Sequence, residues 1–146
     1  MRTLTTALGL MLMLMACRKE EQAGGAPEIA LLDTAPLEVV QFGERVRVRF
    51  SYKDADGDLG NADPDIHDLE VKEARLAQPD FHHVPPISPE GASVAVQGEL
   101  EVELNPLFVL GNGTQEYTTY TLRIRDRAGN WSNSITTPTI TIVQAD

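Results

Sequence analysis

The segment from Asp54 to Asp65 reads Asp-Ala-Asp-Gly-Asp-Leu-Gly-Asn-Ala-Asp-Pro-Asp and carries five carboxylates in twelve residues. Asp54, Asp56 and Asp58 alternate along it, and Gly57 and Gly60 allow the chain to curl and turn carbonyl oxygens inward. A flexible, anionic, oxygen-rich donor set suits a hard divalent cation that takes roughly six to eight ligands, and calcium is the expected ion. Asp63 and Asp65 are candidates for a further ligand. Asp, Asn and Gly are also the commonest turn formers, so a solvated turn without metal is the competing reading.

The loop shares its chemistry with an EF-hand but not its frame. Asp54, Asp56, Asp58 and Asp65 fall at the first, third, fifth and twelfth positions of such a loop, yet the sixth needs glycine and holds Leu59. The residues before Asp54 also alternate as a strand does, where an EF-hand needs a helix. Other chemistries find less support. His82 and His83 are adjacent, and on an extended segment they face opposite sides, which argues against one shared transition metal. No carboxylate stands alone in an apolar setting that would make it a general acid, and no Ser, Cys or Lys has an evident partner base, so an enzyme is not expected. Trp131 is a candidate for ligand contact through its ring, although a Trp just past a turn more often covers the end of a core.

Charge narrows the partners. The 22 acidic against 12 basic residues give a net charge of -10 over 146 residues. With the basic residues scattered among acids, nucleic acid is excluded as a partner. A hydrophobic fraction of 42% is ordinary for a folded chain, and the length suits one domain.

The elements that must position these carboxylates are strands. Val46, Val48 and Phe50 alternate with Arg45, Arg47 and Arg49; Val94 to Leu104 alternates apolar with Gln97, Glu99, Glu101 and Glu103; Tyr120, Leu122 and Ile124 alternate with Thr121, Arg123 and Arg125. A β-branched run from Thr136 to Val143 closes the series. Residues 65–78 read as a strand, with a short helix started at Pro64 as the alternative, and the prolines of 79–89 make an irregular connection or an edge. About seven short strands separated by Gly, Pro and Asn turns predict an all-β fold, a single Greek-key β-sandwich over residues 28–145. In that order the strands ending at Lys53 and Arg125 finish at the same end. Asp54 continues the inward parity of Phe50 and Tyr52, and Asp126 that of Leu122 and Ile124, so Asp126 joins the candidate ligands.

Resemblances to known sequences add to this reading. Met1-Arg2, the apolar run Ala7 to Met15 and the segment Leu14-Met15-Ala16-Cys17 resemble the leader and lipobox of bacterial lipoproteins. That implies a signal peptide at 1–16, lipidation of Cys17, the single cysteine, and a flexible tether at 17–27. Lys19-Glu20-Glu21 behind it resembles the surface-export signal of Bacteroidetes-type lipoproteins, which implies an outer-membrane location, on the external face, with the periplasmic face as the alternative. Asp33-Thr34-Ala35 is similar to the O-glycosylation sequon of the same bacteria. The stretch Tyr120 to Ser132, with Tyr-x-Leu-x-Ile-x-Asp followed by Ala-Gly-Asn, resembles the last strands of bacterial immunoglobulin-like domains. The chain as a whole is similar to Ig-like lipoproteins with an Asp-x-Asp-Gly-Asp-Leu-Gly loop, a family without an established function. The expected protein is a monomer held to the membrane by an N-terminal lipid, with a calcium-stabilised binding or structural module. A glycan-capture or adhesion accessory that touches sugar through Trp131 and the loop carboxylates is the alternative, and a protein or glycan at the cell surface is the expected partner.

Overall fold

A computed structural model describes residues 25–89 and 91–145. Cys17, the leader and most of the expected tether lie outside the described residues. The alternation around Phe50 makes β3 (Arg47–Asp54), with Val48, Phe50 and Tyr52 in the core and Arg47, Arg49 and Lys53 toward solvent. It is the middle strand of one layer, antiparallel to β1 (Glu28–Ala35) on one side and β6 (Val96–Glu103) on the other.

The facing layer is built on β8 (Tyr120–Ile124), whose inward residues Tyr120, Leu122 and Ile124 are all buried. It pairs with β4 (Leu69–Glu73), which in turn pairs with β5 (Asp80–His82), and on its other side with β9 (Ile135–Thr136). One residue, Thr119, separates β8 from β7 (Gln115–Thr118), which pairs with β10 (Ile140–Val143). The chain enters this layer through the cis Ala35–Pro36 bond and lays β2 (Glu38–Val40) parallel to β10. The ten strands and absence of helix among the described residues bear out the all-β sandwich. The seven expected strands become ten because two long ones are interrupted and the first is divided between layers.

The local differences have plain causes. The last β-branched run breaks at Thr137–Thr139, where Pro138 cannot donate to a ladder, while the Thr137 N–H still reaches the Tyr120 carbonyl at 2.9 Å. Val94, expected in the sixth strand, lies outside it and is exposed. The uncertain segment 65–78 contains strand β4, and Pro64 opens a turn closed by Ile66 N–H to Asp63 O at 3.1 Å instead of a helix.

β3 runs into Asp54 and β8 into Asp126, and a backbone bridge between Leu59 and Asp126 joins the two loops at one end of the sandwich. β1 begins at that end, with Glu28 opposite Lys53, whereas β10 finishes at the other. Leu59 is fully buried among the core residues and plugs that end from above. Leu59→Ala is therefore expected to lower unfolding free energy by about 2–5 kcal/mol in urea titrations, while Leu37→Ala, at a half-exposed position, changes it by about 0.5 kcal/mol or less.

Candidate metal centre

The loop after β3 is folded back on itself by hydrogen bonds that leave one oxygen of each alternate carboxylate free. Asp54 Oδ2 accepts the Asp58 N–H at 2.8 Å, and Asp58 Oδ2 accepts the Ala128 N–H at 3.1 Å. Asp54 Oδ1, Asp56 Oδ1 and Asp58 Oδ1 are buried and have no hydrogen-bond partner. One oxygen from each of the three residues lies within 4.8 Å of the others. Buried polar atoms are normally paired, so three orphan carboxylate oxygens within five residues of one loop require a physical account.

Glycine geometry makes the turn possible. Gly57 and Gly60 sit at φ +70° and +79°, and a Cβ there would meet the Val94 carbonyl oxygen at 1.9 Å or the Pro85 carbonyl oxygen at 2.1 Å. The segment 84–88 clasps the loop from one side through Asn61 N–H to Val84 O, Ile87 N–H to Leu59 O, and the Ser88 hydroxyl, which donates to the Gly57 carbonyl. From the other side Arg127 donates its backbone N–H to Asp58 O at 3.1 Å and its guanidinium to the carbonyls of Gly60 at 2.8 Å and Gly57 at 3.5 Å.

Asp54 and Asp126 are both buried, 3% and 2% exposed, as strand parity requires. The structure brings Asp126 to the same rim, but its carboxylate is engaged by Asn130, through the backbone N–H at 2.7 Å and the side-chain amide at 2.9 Å. It stands as a neighbouring charge beside the trio, and its own lone pairs are partly used. Asp63 and Asp65 are exposed and form a turn of their own, with Asp63 Oδ1 accepting the Asp65 N–H at 2.9 Å. They are not among the three residues brought together. Trp131 is half-buried on the outer face of β8, with the Arg123 guanidinium 4.2 Å over its ring and that of Arg125 5.3 Å away.

Several residues that hold this end gave no sequence signal of function. Asp68 is buried and accepts both Arg125 nitrogens at 3.1 and 3.0 Å, and Glu70 binds Arg123 in a two-pronged pair at 2.9 and 2.8 Å. Their positions before and inside β4, opposite Arg123 of β8 and Arg125 just past it, were the available clue.

No protein-family model matches the chain, and no curated protein matches it. Among solved structures it is similar to a mutant of the SrpA adhesin from Streptococcus sanguinis, at 22% identity and a TM-score of 0.38, over 82% of this chain. The match spans 57% of that chain. At that distance the likeness carries no argument about function.

Burial first, then the neighbouring Asp56, pushes the Asp54 carboxyl up to about 6. The Asp58 carboxyl is raised as well, by burial and then by the charges of Asp126 and Asp56. In the unfolded chain these groups titrate near the ordinary value of about 4, so between about pH 4 and 6 the metal-free native state holds more protons than the unfolded one. Stability of the metal-free protein is thus expected to fall as pH rises through that window and then to level off. Urea unfolding in chelator at a series of pH values checks this, and Asp54→Asn is expected to remove most of the slope.

Proposed function

We propose that this chain is a non-enzymatic, membrane-anchored binding module whose sandwich is fixed at one end by a calcium ion held by Asp54, Asp56 and Asp58. The observation that supports this reading is that Asp54, Asp56 and Asp58 each hold a buried, unpartnered Oδ1 atom and bring one carboxylate oxygen apiece within 4.8 Å of the others. A cation satisfies all three at once, whereas solvent is kept from them and the Arg127 guanidinium donates to backbone carbonyls instead. Asp126 adds negative potential beside them, and its carboxylate completes the ligand set if Asn130 swings aside. The ion's role is to make one rigid unit of the loop, the hairpin at Asp126–Asn130 and the segment 84–88.

The anchor is proposed on the lipobox-like Leu14-Met15-Ala16-Cys17, with Cys17 carrying the lipid and the outer membrane, external face, as the location. β1 starts at the calcium end, so the metal lies close to the tether and the opposite loops point away from the membrane. The protein acts as a monomer toward a protein or glycan partner. Glycan capture through Trp131 and the loop carboxylates is the weaker reading, because Arg123 and Arg125 cover the Trp131 ring and the carboxylates converge on one another.

Thermal unfolding tests the metal assignment. Calcium at a hundredfold excess over its Kd is expected to stabilise the protein by about 2.7 kcal/mol, a rise in Tm of roughly 10 °C that chelator reverses. Asp56→Asn is expected to abolish the rise while leaving a folded domain, and no calcium-dependent shift in the parent protein would return the loop to a solvated turn. Cys17→Ala is expected to move the expressed protein from the membrane to the soluble fraction.

A further inference from the structure

Six strands end the three sheets, and five of them are blunted; β7 and β9 are only four and two residues long. β2 and β5 are three residues long. β1 has a bulge between Leu31 and Asp33, and the Asn133 side chain clamps the Ile29 N–H and carbonyl at 2.9 and 2.8 Å. Short edges, bulges and side-chain clamps are the usual means of preventing a strand from pairing further.

β6 has none of these. It is eight residues long, contains no proline, pairs with β3 in unbroken register from Val96 to Glu103, and is hydrogen-bonded on one side only among the described residues. Its backbone phase follows from Leu104 N–H to Val46 O at 2.8 Å. In an antiparallel ladder the bonded pairs alternate, so Val96, Gly98, Leu100 and Val102 bond to β3, while Gln97, Glu99, Glu101 and Glu103 point their N–H and C=O groups to the free side.

The interior beside this edge is also incomplete. Leu100 is only half-buried although Phe50 opposite it is fully buried. Beyond Leu100 and Val102 an open cleft of about 340 Å³ separates β6 from β5, with Leu69 and Val84 on its floor and His82 and His83 on its rim. The outer face of the layer alternates in charge from strand to strand. Glu28 and Asp33 of β1 stand opposite Lys53 and Arg49 of β3, and Arg47 and Arg49 stand opposite Glu103 and Glu101 of β6.

We propose that the β6 edge is a docking site for an extended segment of a partner protein, added as a fourth strand, in which Lys or Arg alternates with apolar residues. Its backbone pairs with the free groups of Gln97, Glu99, Glu101 and Glu103. Its basic side chains lie beside the three glutamates, continuing the alternation of charge, and its apolar side chains enter the cleft over Leu100 and Val102. A second copy of this chain does not fit: edge-to-edge pairing would set Glu99, Glu101 and Glu103 against their own counterparts.

The test uses three labelled eight-residue peptides and fluorescence anisotropy on the whole protein: one alternating Val with Lys and Arg, one with the same composition in scrambled order, and one alternating Val with Glu. Binding is expected for the first alone, with new amide-exchange protection at Glu99 and Glu101. Glu101→Pro removes one outward N–H without touching a β3–β6 bond, and is expected to weaken binding by about tenfold or more at unchanged Tm. Glu101→Lys keeps the backbone donor and decides the matter if the proline variant misfolds, with an expected loss of similar size for the basic peptide. Equal binding of the scrambled peptide, or full affinity in Glu101→Lys, would overturn the proposal. So would a concentration-dependent dimer that Glu101→Lys strengthens or removes.

Discussion

Mutual repulsion of three carboxylates is the constraint around which this end of the protein is arranged. At 4.8 Å or less, each pair of ionised groups repels by about 3.5 kcal/mol at an effective dielectric of about 20, so the trio costs on the order of 10 kcal/mol, comparable with the whole stability of a small domain. Two responses are open to such a cluster. Without metal, a proton is retained up to about pH 6, and the raised Asp54 carboxyl is that response in the chain by itself. With a divalent cation, repulsion becomes attraction and no proton is needed. The two responses have opposite pH dependence, since protons and calcium compete for the same oxygens.

The fold brings this cluster about by making other arrangements impossible. Leu59 inserts into the core and cannot be withdrawn without a cavity, which fixes the loop's depth. The positive-φ glycines on either side of it then set the loop's path against the carbonyls of Val94 and Pro85. Arg127 donates to carbonyl oxygens and not to carboxylates, so it stiffens the loop while its charge only partly offsets that of Asp58. At the other end of the chain's electrostatic pattern, β1, β3 and β6 carry acid, base and acid in turn on their outer faces, and these exposed pairs steer and align more than they stabilise.

Much of this was legible in the sequence because parity along a strand is rigid. Alternation through Phe50 and Leu122 sufficed to bury Asp54 and Asp126 and to bring two loops together across 72 residues. The role of Leu59 was half visible. As the residue that breaks the EF-hand pattern it excluded one motif, but that it anchors the loop depends on where the core ends, which is a tertiary fact. The engagement of Asp126 by Asn130 and the separate turn at Asp63–Asp65 were hidden for the same reason: a carboxylate's partners are chosen among backbone groups whose positions no local pattern specifies. The stacking of Arg123 and Arg125 on Trp131 was hidden too, because both arginines lie in a stretch that sequence order places before it. The part-buried network of Glu73, Arg75, Glu116 and Tyr120 gave no signal either, its members being spread over β4 and the turn after it, β7 and β8.

Long-wavelength anomalous diffraction from crystals grown in calcium addresses the central claim most directly. The account predicts one anomalous peak among the Oδ1 atoms of Asp54, Asp56 and Asp58, with oxygen distances of about 2.3–2.6 Å. The same three oxygens turned outward to water, with no peak between them, would contradict it.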